Sequence, residues 1–160
     1  MIEYKGGDKL HLLIVLLIVA LDQISKYAAV KHLKAEKPYV LIKNFFQLEY
    51  IENYGAAFGI LQNKRIFFIL TTAIVIVGII VIFVRYSSQF NKTMNIALSM
   101  LMGGTIGNFI DRIRLSYVID FISVKFGNSY DFPVFNIADM FIVVGTFLIV
   151  IMVSFNRYRI

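Results

Sequence analysis

The chain has 160 residues, 59% of them hydrophobic, with no cysteine, two histidines and a mean hydropathy of +0.75. A soluble domain of this length would be less apolar, and the composition leaves no room for disulfides, thiolate chemistry or a histidine-rich metal site. The net charge of +6 comes from Lys and Arg spread through connectors rather than gathered in a patch, which fits anionic lipid headgroups as partner and argues against nucleic acid.

A polar start, Met1–Lys9, leads into a first apolar span over Leu10–Val30. Its first half is almost purely apolar, whereas its second half carries Asp22, Gln23, Ser25 and Lys26. No small-x-small cleavage site follows the apolar part and further spans come later, so the segment reads as a retained span. Lys31–Arg65 is a long connector. In it, Val40–Ile42 and Phe45–Glu52 flank Lys43-Asn44 and predict a small hairpin or sheet. Asn53-Tyr54-Gly55-Ala56-Ala57-Phe58-Gly59 then predicts a tight bend and a short helix lying on the membrane surface.

Ile66–Val84 is a span without charge, long enough to cross a bilayer. Thr93–Ile110 is the third span. It carries Gly103, Gly104 and Gly107, which permit close helix approach, and it ends in Asn108, Asp111 and Arg112. Arg114–Pro133 is a second connector with strand-like residues over Val118–Val124, and Val134–Phe155 is the fourth span. The expectation is one domain over residues 1–160. It is an all-α membrane protein of four transmembrane helices, with a small sheet and a surface helix contributed by the connectors.

Four spans joined by loops alternate in direction. Asp22, Lys26, Asn53, Asn108, Asp111, Arg112, Asp120, Asn136 and Asp139 are therefore expected at one face. The raw count of Lys and Arg places that face in the cytoplasm, while its longer connectors and its acids lean the other way, so charge leaves the orientation open.

Polar residues in such spans are costly and usually face a bundle interior or a polar cavity. Asp22 and Lys26 stand at i, i+4 on one helix face, in the favourable order, and read first as a structural ion pair. Asn108, Asp111 and Arg112 share a face at i, i+3, i+4, either as an interfacial cap with Arg112 snorkelling or as a group that bonds the site. Asp139, near the start of the fourth span, alone reads as a carboxylate on a helix N-terminus. Asp120 alone reads as a loop acid. Together the two aspartates suggest more, because close carboxylates split their titrations into one base and one acid. No Ser or Cys nucleophile with a positioned base accompanies them.

Five blocks resemble the lipoprotein signal peptidase (signal peptidase II) family. They are Asp22-Gln23-Ile24-Ser25-Lys26, Asn53 through Gly59, Gly103 through Arg112, Val118-Ile119-Asp120-Phe121 and Phe135-Asn136-Ile137-Ala138-Asp139. The resemblance implies a four-helix aspartic endopeptidase of the bacterial inner membrane that uses no cofactor and no metal. It implies removal of the signal peptide before the diacylglyceryl-modified cysteine of a prolipoprotein, and sensitivity to globomycin-type peptides. It further implies a monomer with both termini cytoplasmic, the site near the outer leaflet, and an extracytoplasmic sheet and surface helix. The catalytic pair it implies is Asp120 and Asp139. Substrate-binding or supporting roles fall on Asp22, Lys26, Asn53, Gly55, Gly104, Asn108, Arg112, Asn136 and Ala138. Two other classes compete: a small ion-coupled transporter, whose carboxylates would sit near mid-membrane, and a non-enzymatic assembly factor, which would tolerate loss of either aspartate.

Overall fold

The computed structural model describes residues 7–55, 60–127 and 130–160. Within them lie four long helices, α1 (Gly7–Leu33), α2 (Arg65–Tyr86), α3 (Lys92–Arg114) and α4 (Ile137–Ser154). The first connector supplies strands β1 (Tyr39–Ile42) and β2 (Phe46–Asn53), and the second supplies β3 (Val118–Phe126) and β4 (Tyr130–Asp131). Three segments, Leu10–Leu33, Arg65–Gln89 and Ile137–Ser154, are long and apolar enough to cross a membrane.

The least apolar of the helices, α3, is the most enclosed. It packs against α1, α2 and α4. Its buried residues include the polar Asn95, Ser99, Thr105, Asn108 and Asp111 beside small Gly103, Gly104 and Gly107, whereas α2 buries only Ile79. The outer faces of α1, α2 and α4 instead display Leu16, Ile24, Ile66, Val84 and Phe147. Apolar surface of this extent is what a lipid-facing bundle presents.

Small residues set the helix spacing. A Cβ on Gly104 would collide with the Ala138 carbonyl oxygen of α4, and one on Gly145 would lie 2.8 Å from the Ala97 carbonyl oxygen of α3. Helix ends are fixed by named groups. The Asn91 side chain caps α3 by accepting from Met94 N at 2.9 Å. Arg65 closes the other end by donating to the carbonyls of Arg112 at 3.1 Å and Ile113 at 2.7 Å, where a cation also suits the helix dipole.

The connectors form a four-stranded sheet, as the reading of a small sheet expected, and the all-α description is too narrow for it. Its order is β1-β2-β3-β4, antiparallel throughout, so strands from the two connectors form one sheet. The expected turn at Lys43-Asn44 forms, with Asn44 in the left-handed region at φ 58°. Along β3 the side chains alternate. Ile119 and Phe121 pack on Ala29 of α1, while Asp120 turns to the opposite side, where Asn53 of β2 meets it. The helices run a few residues beyond or short of the expected spans, and two of these differences bear on the site. α3 runs on to Arg114, which keeps Asp111 and Arg112 helical, and α4 starts only at Ile137 because Phe135 is held extended against Ile122. The surface helix expected after Gly55 lies outside the described residues.

Gly104→Val should force α3 and α4 apart and lower stability by about 1–3 kcal/mol, as overpacking does. Gly78→Ala on α2, where a Cβ meets nothing within 4 Å, should stay within about 0.5 kcal/mol. Thermal midpoints of both variants in the same detergent measure the difference.

Candidate active site

Asp139 is placed by its own helix. Asn136 is the N-cap of α4: its Oδ1 accepts from Asp139 N at 2.9 Å while Asp139 Oδ2 accepts from Asn136 N at 3.2 Å, a complete capping box. The helix-terminus reading of Asp139 is therefore right as far as it goes. The other carboxylate oxygen, Oδ1, points across to α3 and accepts from Asn108 Nδ2 at 2.7 Å.

Asp120 comes from β3 and is 1% exposed. Asn136 Nδ2 donates to its Oδ1 at 2.6 Å and Asn53 Nδ2 to its Oδ2 at 2.9 Å. Asn53 is itself fixed, because its Oδ1 accepts from Gly55 N at 2.9 Å in an Asx-type turn that leaves the amide nitrogen for Asp120. Gly55 is buried there, and a Cβ on it would stand 2.6 Å from the Ile60 carbonyl oxygen. Burial, and next the nearby charge of Asp139, push the Asp120 carboxyl up to about 7, against the opposing pull of Asn53, Asn136 and Lys26. On the far face of β2, Glu52 accepts from the hydroxyls of Tyr54 at 2.9 Å and Tyr50 at 3.0 Å and from Lys34 at 3.1 Å. These bonds hold the strand end that presents Asn53, and they keep Glu52 below the usual carboxylate range, the Tyr54 bond foremost.

Beneath the pair lies a buried ionic cluster. Lys26 Nζ is 2.9 Å from each of Asp22 Oδ2, Asp111 Oδ2 and Asn108 Oδ1, which uses all three ammonium protons. The expected Asp22–Lys26 pair forms, but Asp111 is a second counter-ion that the sequence reading left in an alternative. An ammonium can be met only by the amide oxygen of Asn108, and this turns the amide nitrogen toward Asp139. Gly107 makes room for the cluster, since a Cβ on it would fall 2.5 Å from Asp22 Oδ2.

Of the residues singled out in the sequence, Asp22, Lys26, Asn53, Gly55, Asn108, Asp120, Asn136 and Asp139 are joined in one hydrogen-bonded network. Ala138 enters through its backbone, N donating to Asp22 Oδ1 at 3.0 Å. Arg112 lines the same cleft, its guanidinium 5.0 Å from the centre of the Phe68 ring, and among the described residues it forms no ion pair. Gly104 stands apart as a helix-packing residue. Gln23 was overlooked as a contributor: its Nε2 bridges Asp22 Oδ2 at 3.1 Å and Asp111 Oδ1 at 3.0 Å. Its one clue was a place between the polar residues of α1. The cleft above the aspartates is about 900 Å³ and is lined by Asn53, Arg112, Asp120 and Asp139 together with the apolar Ile142, Val143 and Val144 of α4.

The sequence profile of the family described as signal peptidase (SPase) II matches residues 14–155. Among curated relatives, the lipoprotein signal peptidase of Caldanaerobacter subterraneus is 51% identical over 139 residues, which cover 86% of this chain and 91% of that one. The lipoprotein signal peptidase of Staphylococcus aureus is 40% identical over 141 residues, 88% of this chain and 85% of that one. A solved structure described as a bacterial membrane enzyme superposes with a TM-score of 0.82 at 36% identity, covering 91% of this chain and 88% of its own.

Lys26→Met would leave two buried carboxylates without their cation and should cost about 3–5 kcal/mol. Asp22→Asn leaves Asp111 as the partner of Lys26, so the loss should be smaller, about 1.5–3 kcal/mol for one charge-assisted bond. Thermal midpoints in detergent should rank wild type, Asp22→Asn and Lys26→Met in that descending order.

Proposed function

Because the chain belongs to the signal peptidase II family, we propose that it is a membrane aspartic endopeptidase that removes the signal peptide of a prolipoprotein, cutting just before the diacylglyceryl-modified cysteine. The observation that carries the mechanism is the sharing of Asn136 by both carboxylates: its side-chain Nδ2 donates to Asp120 Oδ1, its backbone N–H donates to Asp139 Oδ2, and its Oδ1 accepts from the backbone N–H of Asp139. Two carboxylates tied to one residue, in one cleft, bind one proton between them more readily than none or two.

Their surroundings assign the roles. Asp120 is enclosed and holds its proton to about pH 7, whereas Asp139 is partly open to the cleft, where water can reach it. Asp139 acts as the base that takes a proton from water, and Asp120 as the acid that polarises the scissile carbonyl. As the tetrahedral intermediate collapses, the proton held by Asp139 passes to the leaving amine. Arg112 and the carboxamides Asn53 and Asn108 face the same cleft and bind the peptide. The apolar wall of α4 receives the acyl chains of the substrate, so the lipid is part of what is recognised.

The same reading gives four crossings, with α3 as the fourth inside the other three. Both termini lie in the cytoplasm, and the pair and the sheet lie at the outer leaflet of the bacterial inner membrane. Residues 1–160 act as one monomeric unit, inhibited by globomycin-type peptides that occupy the cleft.

Purified protein incubated with lipidated prolipoprotein tests the proposal. Asp120→Asn and Asp139→Asn should each lower turnover by about 10²–10⁴-fold, the double change should add little, and all three should fold. Near-normal cleavage by either single variant would favour a transporter or an assembly factor. Wild-type turnover should also fall as pH rises through about 7, because Asp120 must be protonated to act as acid. An unlipidated precursor should be cut poorly.

A further inference from the structure

The residues just before the two aspartates are held in the same way. Ala138, which precedes Asp139, donates its backbone N–H to Asp22 Oδ1 at 3.0 Å. Ile119, which precedes Asp120, donates its backbone N–H to Asp111 Oδ2 at 3.2 Å. The two accepting carboxylates are tied to each other twice, by Lys26 at 2.9 Å to each and by Gln23 Nε2 at 3.1 and 3.0 Å. Ile119 is gripped on both of its peptide groups, because its carbonyl oxygen accepts from Asn136 Nδ2 at 3.2 Å. Neither group of Ile119 therefore points at β2, although Ile119 stands opposite Glu52 in the sheet.

We propose that Asp111 is a positioning residue for Asp120: it fixes the peptide before that aspartate, as Asp22 fixes the peptide before Asp139, and Lys26 with Gln23 sets the spacing between the two. The inference rests on the two-aspartate reading above. It accounts for a cluster with one cation and two carboxylates, where one acid would have neutralised Lys26. Each acid has a separate backbone to hold, one on β3 and one on α4. Strand β3 has no helix of its own to orient Asp120, in contrast to Asp139 with its capping box. Asp111 supplies that constraint from α3.

The experiment measures kcat, KM and the pH profile for cleavage of lipidated prolipoprotein by Asp111→Leu and Asp111→Asn, with Asp120→Asn as control. Charged groups around Asp120 are Asp22 and Lys26 from α1, Asp111 and Arg112 from α3 and Asp139 from α4. Lys26 keeps Asp22 in both Asp111 variants. Asp111→Leu should lower kcat about 100-fold with KM little changed, as a misplaced reacting group does. Its upper pH limb should drop by about one unit, because a released Asp120 is less enclosed and lies farther from Asp139. Asp111→Asn keeps an oxygen for Ile119 N–H and should retain kcat within about tenfold and the wild-type upper limb, even where its thermal midpoint falls.

Wild-type kcat and limb in Asp111→Leu would overturn the proposal, as would an Asp111→Asn that folds and is as impaired as Asp111→Leu. If Asp111→Leu does not fold, Asp111→Asn decides alone: a folded variant with a loss near 100-fold or a lowered limb overturns it. Failure of the underlying reading shows separately. In that case Asp120→Asn itself cleaves at near-normal rate, whereas failure of the positioning role leaves Asp120→Asn inactive.

Discussion

The structure depends on the burial of one ammonium. Lys26 is 2% exposed inside the bundle, and a charge there is tolerable only if every proton finds an acceptor. Those acceptors come from α1 and α3, as Asp22, Asp111 and Asn108, and their remaining lone pairs take donors from β3 and α4. Satisfying one lysine therefore fixes how two helices, a strand and a helix start meet. Glycines at 104 and 107 are the steric counterpart of the same requirement, since the network closes only if backbones approach to near contact.

Above the cluster, carboxamides do the orienting. An Asn side chain has one acceptor end and one donor end, so anchoring either end determines what the other can do. Gly55 N anchors Asn53, Lys26 anchors Asn108, and Asp139 N anchors Asn136. In each case the free amide nitrogen then meets an aspartate. Donors are delivered to both carboxylates without a cation bonded to either. This suits the proposed chemistry, because a cation bonded to Asp120 would draw off the proton that the acid must keep.

Much of this was legible in the residues. Asn136 and Asp139 at i, i+3 spell a helix start, Asp22 and Lys26 at i, i+4 spell a pair, and Lys43-Asn44 between β-rich runs spells a turn. Each rests on local geometry with a fixed period. What could not be read was long-range. Asp111 showed its helix face but not that this face meets Lys26, 85 positions away. Nothing in the first connector alone says that Asn53 will reach Asp120, because that depends on the β2–β3 register, which places Asn53 opposite Val118. The start of α4 was placed too early because an apolar run does not distinguish a strand-like approach from helix, and only the cap at Asn136 marks the change. The enclosed place of α3 was similarly hidden, since its polar residues lower its hydropathy for the same reason that they put it inside.

The central claim is an unequal pair of carboxyls holding one proton, with the proton on Asp120. Infrared difference spectroscopy of the protein in nanodiscs, titrated from acid to alkaline pH, observes that proton directly through the protonated-carboxyl C=O band. The account predicts one such band persisting to about pH 7 and missing from Asp120→Asn. A band that vanishes wholly near pH 4, the ordinary aspartate range, or one that persists unchanged in Asp120→Asn, would contradict it.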